Sequence, residues 1–117
     1  MTATPRPGLV RADPGDPDPV AGPAAAGWRI ATLTGVHDET TFHTRIAAVL
    51  DFPGHYGRNA DALWDCLTDL TVPTALLWTD WQDMAIGDPR GWAKIVTTLR
   101  DRGEQQPAFL VVLAADS

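Results

Sequence analysis

The sequence predicts a small α/β fold in which a three-stranded parallel sheet packs with three to four helices. Apolar residues recur at helical spacing in some segments and form short β-rich runs in others, and the two kinds of segment alternate along the chain. One candidate strand is apolar without alternation, which is typical of strands covered on both faces of a parallel sheet. The connections between candidate strands are long enough for parallel crossovers, and the 117 residues have room for one compact domain.

The first segment expected from the N-terminus is a disordered tail over residues 1–27. It holds six of the ten prolines and four of the ten glycines, and it shows no periodic apolar face. Residues 28–34, WRIATLT, are rich in β-formers and are followed by Gly35, so they predict a first strand. The folded domain is therefore predicted to occupy residues 28–117.

Two helices separated by a loop are predicted to follow this strand. Residues 38–51 place apolar side chains at helical spacing and leave polar residues opposite them, which indicates an amphipathic helix. Prolines and glycines then interrupt any regular element over residues 51–59, DFPGHYGRN. Asn59 is a good N-cap residue, so we expect a second helix from there to about Leu70, because Pro73 prevents its continuation.

The last part of the chain predicts two strands with helical structure between them. Residues 74–79, TALLWT, form the apolar run of a buried strand, and a short helical turn is expected around residues 81–86. The Asp-Pro pair at residues 88–89 is a strong helix start, and Gly103 is expected to end that helix. Residues 107–114 predict the last strand.

Composition limits the classes of function. The formal net charge is −6 and Lys94 is the single lysine, which argues against nucleic acid as a direct ligand because phosphate contacts need clustered cations. The apolar runs are shorter than the roughly 18 to 20 residues of a membrane span, so no membrane partner is expected. The N-terminus lacks a secretory signal pattern and Cys66 is the single cysteine, so we expect a cytoplasmic protein stabilised by packing.

The strongest functional signal is an acidic face on the second predicted helix. Asp61, Asp65 and Asp69 follow the i, i+4, i+8 spacing and share one side of the helix, where no lysine or arginine offsets their charge. Trp64 lies at the edge between this face and the apolar stripe, so its ring is available as a contact anchor. The preceding loop adds two further ring side chains, His55 and Tyr56. Acidic residues on an outer helix face are usually only solvating, and the charge pattern alone leaves that alternative open.

Residues 52–70, FPGHYGRNADALWDCLTDL, resemble the loop and inhibitory helix of the barstar family. The similarity rests on a proline, then Tyr-Gly, an asparagine and the unbroken run DALWDCLT, and a weaker similarity extends over about residues 28–114. The resemblance implies a small parallel α/β domain that blocks the active site of a secreted-type, guanyl-preferring ribonuclease and catalyses no reaction. It implies no cofactor. The expected partner is a small basic nuclease in a 1:1 complex, and we expect a monomer when the protein is free.

The resemblance also implies roles for individual residues. Asp65 matches the carboxylate that enters the phosphate-binding site of the nuclease, and Asp61 matches its acidic neighbour. Asp101, on the last predicted helix, matches an acidic contact at the rim of the interface. The other positions predicted to bind the partner are Gly57, Asn59, Ala60, Trp64, His55, Tyr56, Asp69 and Leu70.

The chain departs from the family pattern within this segment. His55 stands where an interface tyrosine is expected, and Leu70 occupies the place of a tryptophan. Gly54 replaces a charged residue and Arg58 replaces an acidic one. Because aromatic anchors carry much of the energy of an interface, these departures imply a related ribonuclease, rather than barnase, as the partner.

Other functions remain open or fit the residues less well. A barstar-like module for immunity to another toxin, or for regulating a non-nuclease partner, is not separated from ribonuclease inhibition by sequence alone. An enzyme would use the first two aspartates of the acidic face as acid and base, or pair Cys66 with His55. Exposed aspartates have no burial to split their pKa values, and Cys66 points toward the apolar stripe. His37 and His43 are six residues apart and do not share a helix face, so surface histidines rather than metal ligands are expected.

Overall fold

The computed structural model describes residues 5–115 and arranges them in a four-stranded sheet with five helices. The elements in chain order are β1 (Gly8–Arg11), α1 (Ala21–Ala25), β2 (Arg29–Leu33), α2 (Glu39–Val49), α3 (Ala60–Thr68), β3 (Thr74–Trp78), α4 (Trp81–Gly87), α5 (Pro89–Arg102) and β4 (Phe109–Leu113). The strands lie in the order β1-β4-β3-β2, and every neighbouring pair is parallel. The α/β class and the parallel sheet are therefore confirmed.

The sheet has four strands rather than the predicted three, and there are five helices rather than three to four. The additional β1 and α1 lie within residues 1–27, which the composition predicted to be a disordered tail; residues 1–4 lie outside the described residues. β1 has only four residues, and it forms by pairing with β4. A strand that depends on a distant partner leaves no local pattern, so composition could not reveal it.

Capping side chains fix where the helices begin. Asp38 caps α2, since its carboxylate accepts from the Thr41 backbone N–H at 2.8 Å while the Thr41 hydroxyl accepts from the Asp38 N–H at 3.1 Å. Asn59 caps α3 by accepting from the backbone N–H three residues further on, at 2.8 Å. Asp88 caps α5 in the same way at 3.0 Å, with Pro89 in the first helical position. The predicted helix starts at Asn59 and Asp88 are thus confirmed.

The main core lies between helices α2 to α5 and one face of the sheet, the front face. Its largest fully buried apolar side chains are Trp78, Phe42, Phe109, Leu33, Ile46, Leu63, Leu67, Leu76, Met84, Ile95 and Leu99. Successive residues of a strand point to opposite faces, so Leu110 and Val112 of β4 turn away from this core. With Ala75 they form a smaller cluster on the back face, which residues of the N-terminal segment cover. The acidic helix α3 therefore stands in the front layer.

Candidate functional site

The candidate site consists of α3 and the loop that precedes it. The loop runs from the end of α2 to Asn59, the N-cap of α3. Asp51 and Arg58, near its two ends, have left-handed backbone angles with φ of 56° and 53°. Between them the Tyr56 N–H donates to the Pro53 carbonyl at 3.0 Å, which closes a turn. These turns bring the loop back alongside α3.

A buried hydrogen-bond network holds the loop against α2. The Tyr56 ring lies near Phe52 and His43, with ring centroids 5.0 and 5.6 Å away. Its hydroxyl is 2.5 Å from Nδ1 of His43, and Nε2 of His43 is 3.4 Å from a carboxylate oxygen of Glu39. Lys94 of α5 donates to the same carboxylate at 3.0 Å. Because an ionised carboxylate can only accept, we assign the proton to Nε2, and the Tyr56 hydroxyl then donates to Nδ1.

Burial bears on two expectations for this network and overturns the one for His43. Tyr56, predicted to contact a partner, is only 9% exposed, and His43, predicted to be a surface histidine, is 1% exposed. Burial is the largest cause that lowers the pKa of His43 and raises the pKa of Tyr56. The spacing within α2 could not reveal this, because it is the folded loop that covers His43. Tyr56 therefore supports the loop from beneath, and only a small part of its side chain is exposed.

Three carboxylates form an exposed acidic surface on α3, defined here as Asp61, Asp65 and Asp69. Asp61 lies in the first turn and Asp69 is the C-cap residue, and all three are exposed. None of the four ion pairs found within residues 5–115 involves them. The positive end of the helix dipole favours Asp61, but Asp69 stands at the negative end, where the last turn has no basic side chain. Among residues 5–115, no side-chain cation therefore forms an ion pair with the acidic surface.

A hollow of about 190 Å³ lies between the loop and α3. It brings together five of the predicted residues, His55, Tyr56, Gly57, Asp65 and Asp69. Its lining also contains three residues that the sequence analysis did not assign to the site, Pro53, Ala62 and Cys66. A second hollow of about 260 Å³ shares Pro53, Cys66 and Asp69 with the first and includes Leu70. A concave surface lined by carboxylates and apolar stems suits a cationic side chain with an apolar stem.

Five predicted residues lie outside the lining of both hollows, namely Asp61, Trp64, Asn59, Ala60 and Asp101. Trp64 is partly exposed, as the helical spacing predicted. Asp101 is exposed on α5, which packs against α3. The sequence therefore located the acidic helix correctly, but only the folded loop shows which of its residues border a concave surface.

A charged residue that the sequence analysis missed supports α3 from inside. Arg102, at the end of α5, is fully buried, and its Nε donates to the Leu67 carbonyl at 2.7 Å, near the C-terminus of α3. Its guanidinium lies over the Phe109 ring at 5.6 Å, and burial lowers its pKa. The negative end of α3 favours a cation there. A signal was present, because Arg102 follows Ile95 by seven residues and Leu99 by three, on the apolar side of α5.

Cys66 is partly buried and packs against the main core beside both hollows. Burial raises the pKa of its thiol, and the charges of Asp69 and Asp65 raise it further. A thiol held in its protonated form is a poor nucleophile. Within residues 5–115 no group of three or more His, Cys, Asp or Glu side chains is placed to hold a metal ion. In the same range, no helix has the length and apolar character needed to cross a bilayer.

Comparison with known proteins adds to this geometry. A short stretch of 26 residues is 65% identical to a Bacillus subtilis (strain 168) protein named "Putative ribonuclease inhibitor YrdF". That match spans 22% of this chain and 29% of the length of the relative. The family model described as "Barstar (barnase inhibitor)" matches residues 28–114, which include the loop, α3 and the helix that carries Asp101. Because this match covers most of the chain, the protein belongs to the barstar family.

Proposed function

We propose that this protein inhibits a ribonuclease by placing its acidic surface and the adjoining loop in the active site of the nuclease. The observation that carries the proposal is the exposed, unpaired acidic surface beside the hollow. The family description and the name of the Bacillus subtilis relative support it. The proposed partner is a small, basic, secreted-type, guanyl-preferring ribonuclease, bound 1:1 in the cytoplasm of the cell that produces it. The proposal assigns no catalytic step to the chain.

The chemistry of RNA cleavage explains why carboxylates suit such a site. A ribonuclease gathers cationic side chains to hold the phosphates of its substrate, and the carboxylates of another protein can take the same positions. Asp65 borders the hollow and Asp61 lies one turn away on the same helix face. In the proposed complex these two side chains imitate substrate phosphates. The net charge of −6 attracts a basic nuclease over a distance and speeds the encounter.

The surface is held in shape before a partner arrives. The Tyr56 hydroxyl forms a hydrogen bond with His43 beneath the loop, and the Asn59 side chain caps the N-terminus of α3. Near the C-terminus of α3, Arg102 donates a hydrogen bond to a backbone carbonyl. Such preorganisation favours tight binding, because fewer side chains and loop residues must lose conformational freedom in the complex.

The partner is proposed to be a relative of barnase. Arg58 is exposed in the loop next to the acidic helix, where a wholly cationic nuclease site would repel it. The side chains of His55 and Leu70 offer less aromatic contact area than the residues expected at these two positions of the family. A nuclease with a different charge distribution and different anchor pockets would suit this surface better.

Replacing Asp65 tests the proposal. We expect Asp65→Ala to weaken the complex by about 2 to 5 kcal/mol, because truncating one partner of a buried charge pair leaves the other unpaired; this magnitude includes values measured for the barnase–barstar pair itself. The matched control is Asp83→Ala, which removes an exposed carboxylate from a different helix, α4. This control variant should inhibit the nuclease as strongly as the parent protein does. Titrations against a guanyl-preferring bacterial ribonuclease cleaving a fluorescent RNA substrate give the inhibition constants.

Two outcomes would contradict the proposal at different levels. Equal inhibition by the parent protein and Asp65→Ala would remove Asp65 from the interface and leave inhibition itself standing. Full nuclease activity in the presence of excess parent protein, across several ribonucleases of this class, would reject ribonuclease inhibition. Protection against a different toxin would then favour the immunity function.

A further inference from the structure

The segment before the matched family region adds a strand at one edge of the sheet. The family match begins at residue 28, and β4 would be an edge strand if the preceding residues were not paired with it. β1 occupies that edge in a register that runs from Gly8 opposite Leu110 to Arg11 opposite Leu113. Beyond the strand, the Ala12 N–H donates to the Leu113 carbonyl at 2.8 Å. An open edge strand is a template for pairing with another chain, and this pairing puts the short β1, of four residues, at the edge in place of the five-residue apolar β4.

The same segment covers the back face of the sheet. The apolar cluster on that face is packed by Ala12, Val20 and Trp28. Pro23 of α1 is buried, and its carbonyl accepts from the Trp28 N–H at 3.0 Å. We name residues 8–28 the strap. The strap thus pairs with the β4 edge and covers apolar side chains that would otherwise be exposed to water.

The C-terminal end of α5 is shaped to receive the strap. Gly103 has φ of −61°, which any residue can adopt, so its own backbone does not require glycine. A Cβ atom on Gly103 would lie 2.7 Å from the Cα of Gly8 and 3.0 Å from its nitrogen. Gly8 has φ of 119°, a conformation that side chains rarely allow. The two glycines permit a close backbone approach between the end of α5 and the docked strap.

The other end of β1 is held by aromatic residues. The Arg11 guanidinium lies 5.0 Å from the centre of the Trp81 ring, a cation–π contact. Trp81 is fixed in turn, because its Nε1 donates to the Ala114 carbonyl at 2.8 Å and its ring stacks on Trp92. Between the two ends, Leu9 packs against the main core. Contacts therefore hold the strap at both ends of β1 and in its middle.

We propose that the strap is a built-in guard that keeps the protein monomeric by occupying the β4 edge. When the strap is displaced, the open edge takes up β1 of a second copy of this chain, because that strand already has the register and side chains that fit β4. The connection of 17 residues from 12 to 28 reaches about 55 Å when extended, enough for β1 to pair with a neighbouring copy. The guard is separate from the acidic surface, which lies on α3.

The experiment compares two glycine replacements in the full chain. Gly103→Ala places a methyl group against Gly8, whereas Gly15→Ala lies in the strap itself with no atom within 4 Å of the added Cβ. At low protein concentration we expect the Ala12 amide to exchange with solvent about tenfold faster or more in Gly103→Ala, and unchanged in Gly15→Ala. The methyl group of Gly103→Ala would meet Gly8 of a second copy as well, so dimers are sought in a 1:1 mixture of Gly103→Ala, whose β1 is free, with Val10→Pro, whose edge keeps Gly103 but whose own β1 cannot complete the ladder. Light scattering after gel filtration at high concentration should show dimers in the mixture and monomers in each variant alone. Arg11→Ala is a second variant, which loosens the other end of β1 and leaves the core residues in place.

Each outcome decides the proposal. Dimers in which the Ala12 amide is protected again support exchange of β1 between copies. If that amide exchanges as slowly in Gly103→Ala and Arg11→Ala as in the parent protein, the two contacts do not hold the strap and the proposal is overturned. Faster exchange in Gly103→Ala, together with a mixture of Gly103→Ala and Val10→Pro that stays monomeric at high concentration, would reject the guard function. Dimers in which the Ala12 amide exchanges freely would reject β1 as the strand that fills the edge.

Discussion

His43 stabilises the candidate site through hydrogen bonds that depend on its charge state. Its Nδ1 accepts from the Tyr56 hydroxyl only while the ring is neutral, and its Nε2 faces Glu39. Burial disfavours the charged ring most strongly, and the nearby charges of Lys94 and Arg58 add to that effect, while Glu39 opposes it. A single buried residue therefore couples the shape of the loop to pH.

The stability of the fold should decrease as the pH falls below neutrality. The pKa of His43 in the folded protein is lower than the ordinary value of about 6.5, so the unfolded chain binds more protons between the two values. The stabilisation is complete above pH about 6.5 and is lost as the pH falls from there toward the folded pKa. Urea unfolding of the parent protein from pH 7 to 5 should show this loss, and His43→Gln should flatten it. His37→Gln is the control, because His37 is 65% exposed, and a parent slope equal to that of His43→Gln would contradict the assignment.

Among the elements, those with local chemical signals were predictable and the one that depends on distant pairing was not. The N-caps at Asn59 and Asp88 and the prolines near them fixed α3 and α5 from a few neighbouring residues. β1 exists only because the edge of β4 accepts it, and its four residues carry no periodic signal of their own. The burial of Tyr56 likewise depends on a loop folding over α2. The acidic face was visible in the helical spacing, but the hollow beside it was not.

The start of α3 offers a test at the scale of one helix. We expect Asn59→Ala to lower the free energy of unfolding by about 1 kcal/mol, because the N–H of Ala62 loses the side-chain oxygen that it bonds at 2.8 Å. Asn59→Ser keeps an acceptor at the same position and should retain most of the stability. Urea unfolding with unchanged m-values measures both variants. If the alanine and serine variants unfold at the same midpoint, the cap contributes nothing to stability.

Over the whole molecule, the features that concern a partner and those that concern the sheet edge lie in different layers. The acidic surface belongs to α3 in the front layer, whereas the strap covers the back face and the β4 edge. Three exposed aspartates of the strap, Asp13, Asp16 and Asp18, contribute to the net charge of −6 without belonging to α3. The total charge and its placement can therefore be varied independently by substitution.

The salt dependence of association separates the effect of charge placement from that of total charge. One variant replaces Asp61, Asp65 and Asp69 by asparagine, and the other replaces Asp13, Asp16 and Asp18. Each removes three negative charges, so both take the formal net charge from −6 to −3. The association rate constant of the parent protein with an inhibited ribonuclease should fall about tenfold or more from low salt to about 0.5 M, because ions screen the attraction between exposed charges.

Stopped-flow fluorescence measures that rate for all three proteins. We expect the α3 variant to associate slowly at low salt and to lose most of the salt dependence, because the missing charges are those that face the nuclease during the encounter. The strap variant should stay closer to the parent protein, since its three exposed carboxylates belong to the strap and not to the helix that is proposed to face the nuclease. If both variants lose the same fraction of the association rate constant at low salt, the rate depends on total charge alone. The carboxylates of α3 would then contribute no more to association than those of the strap.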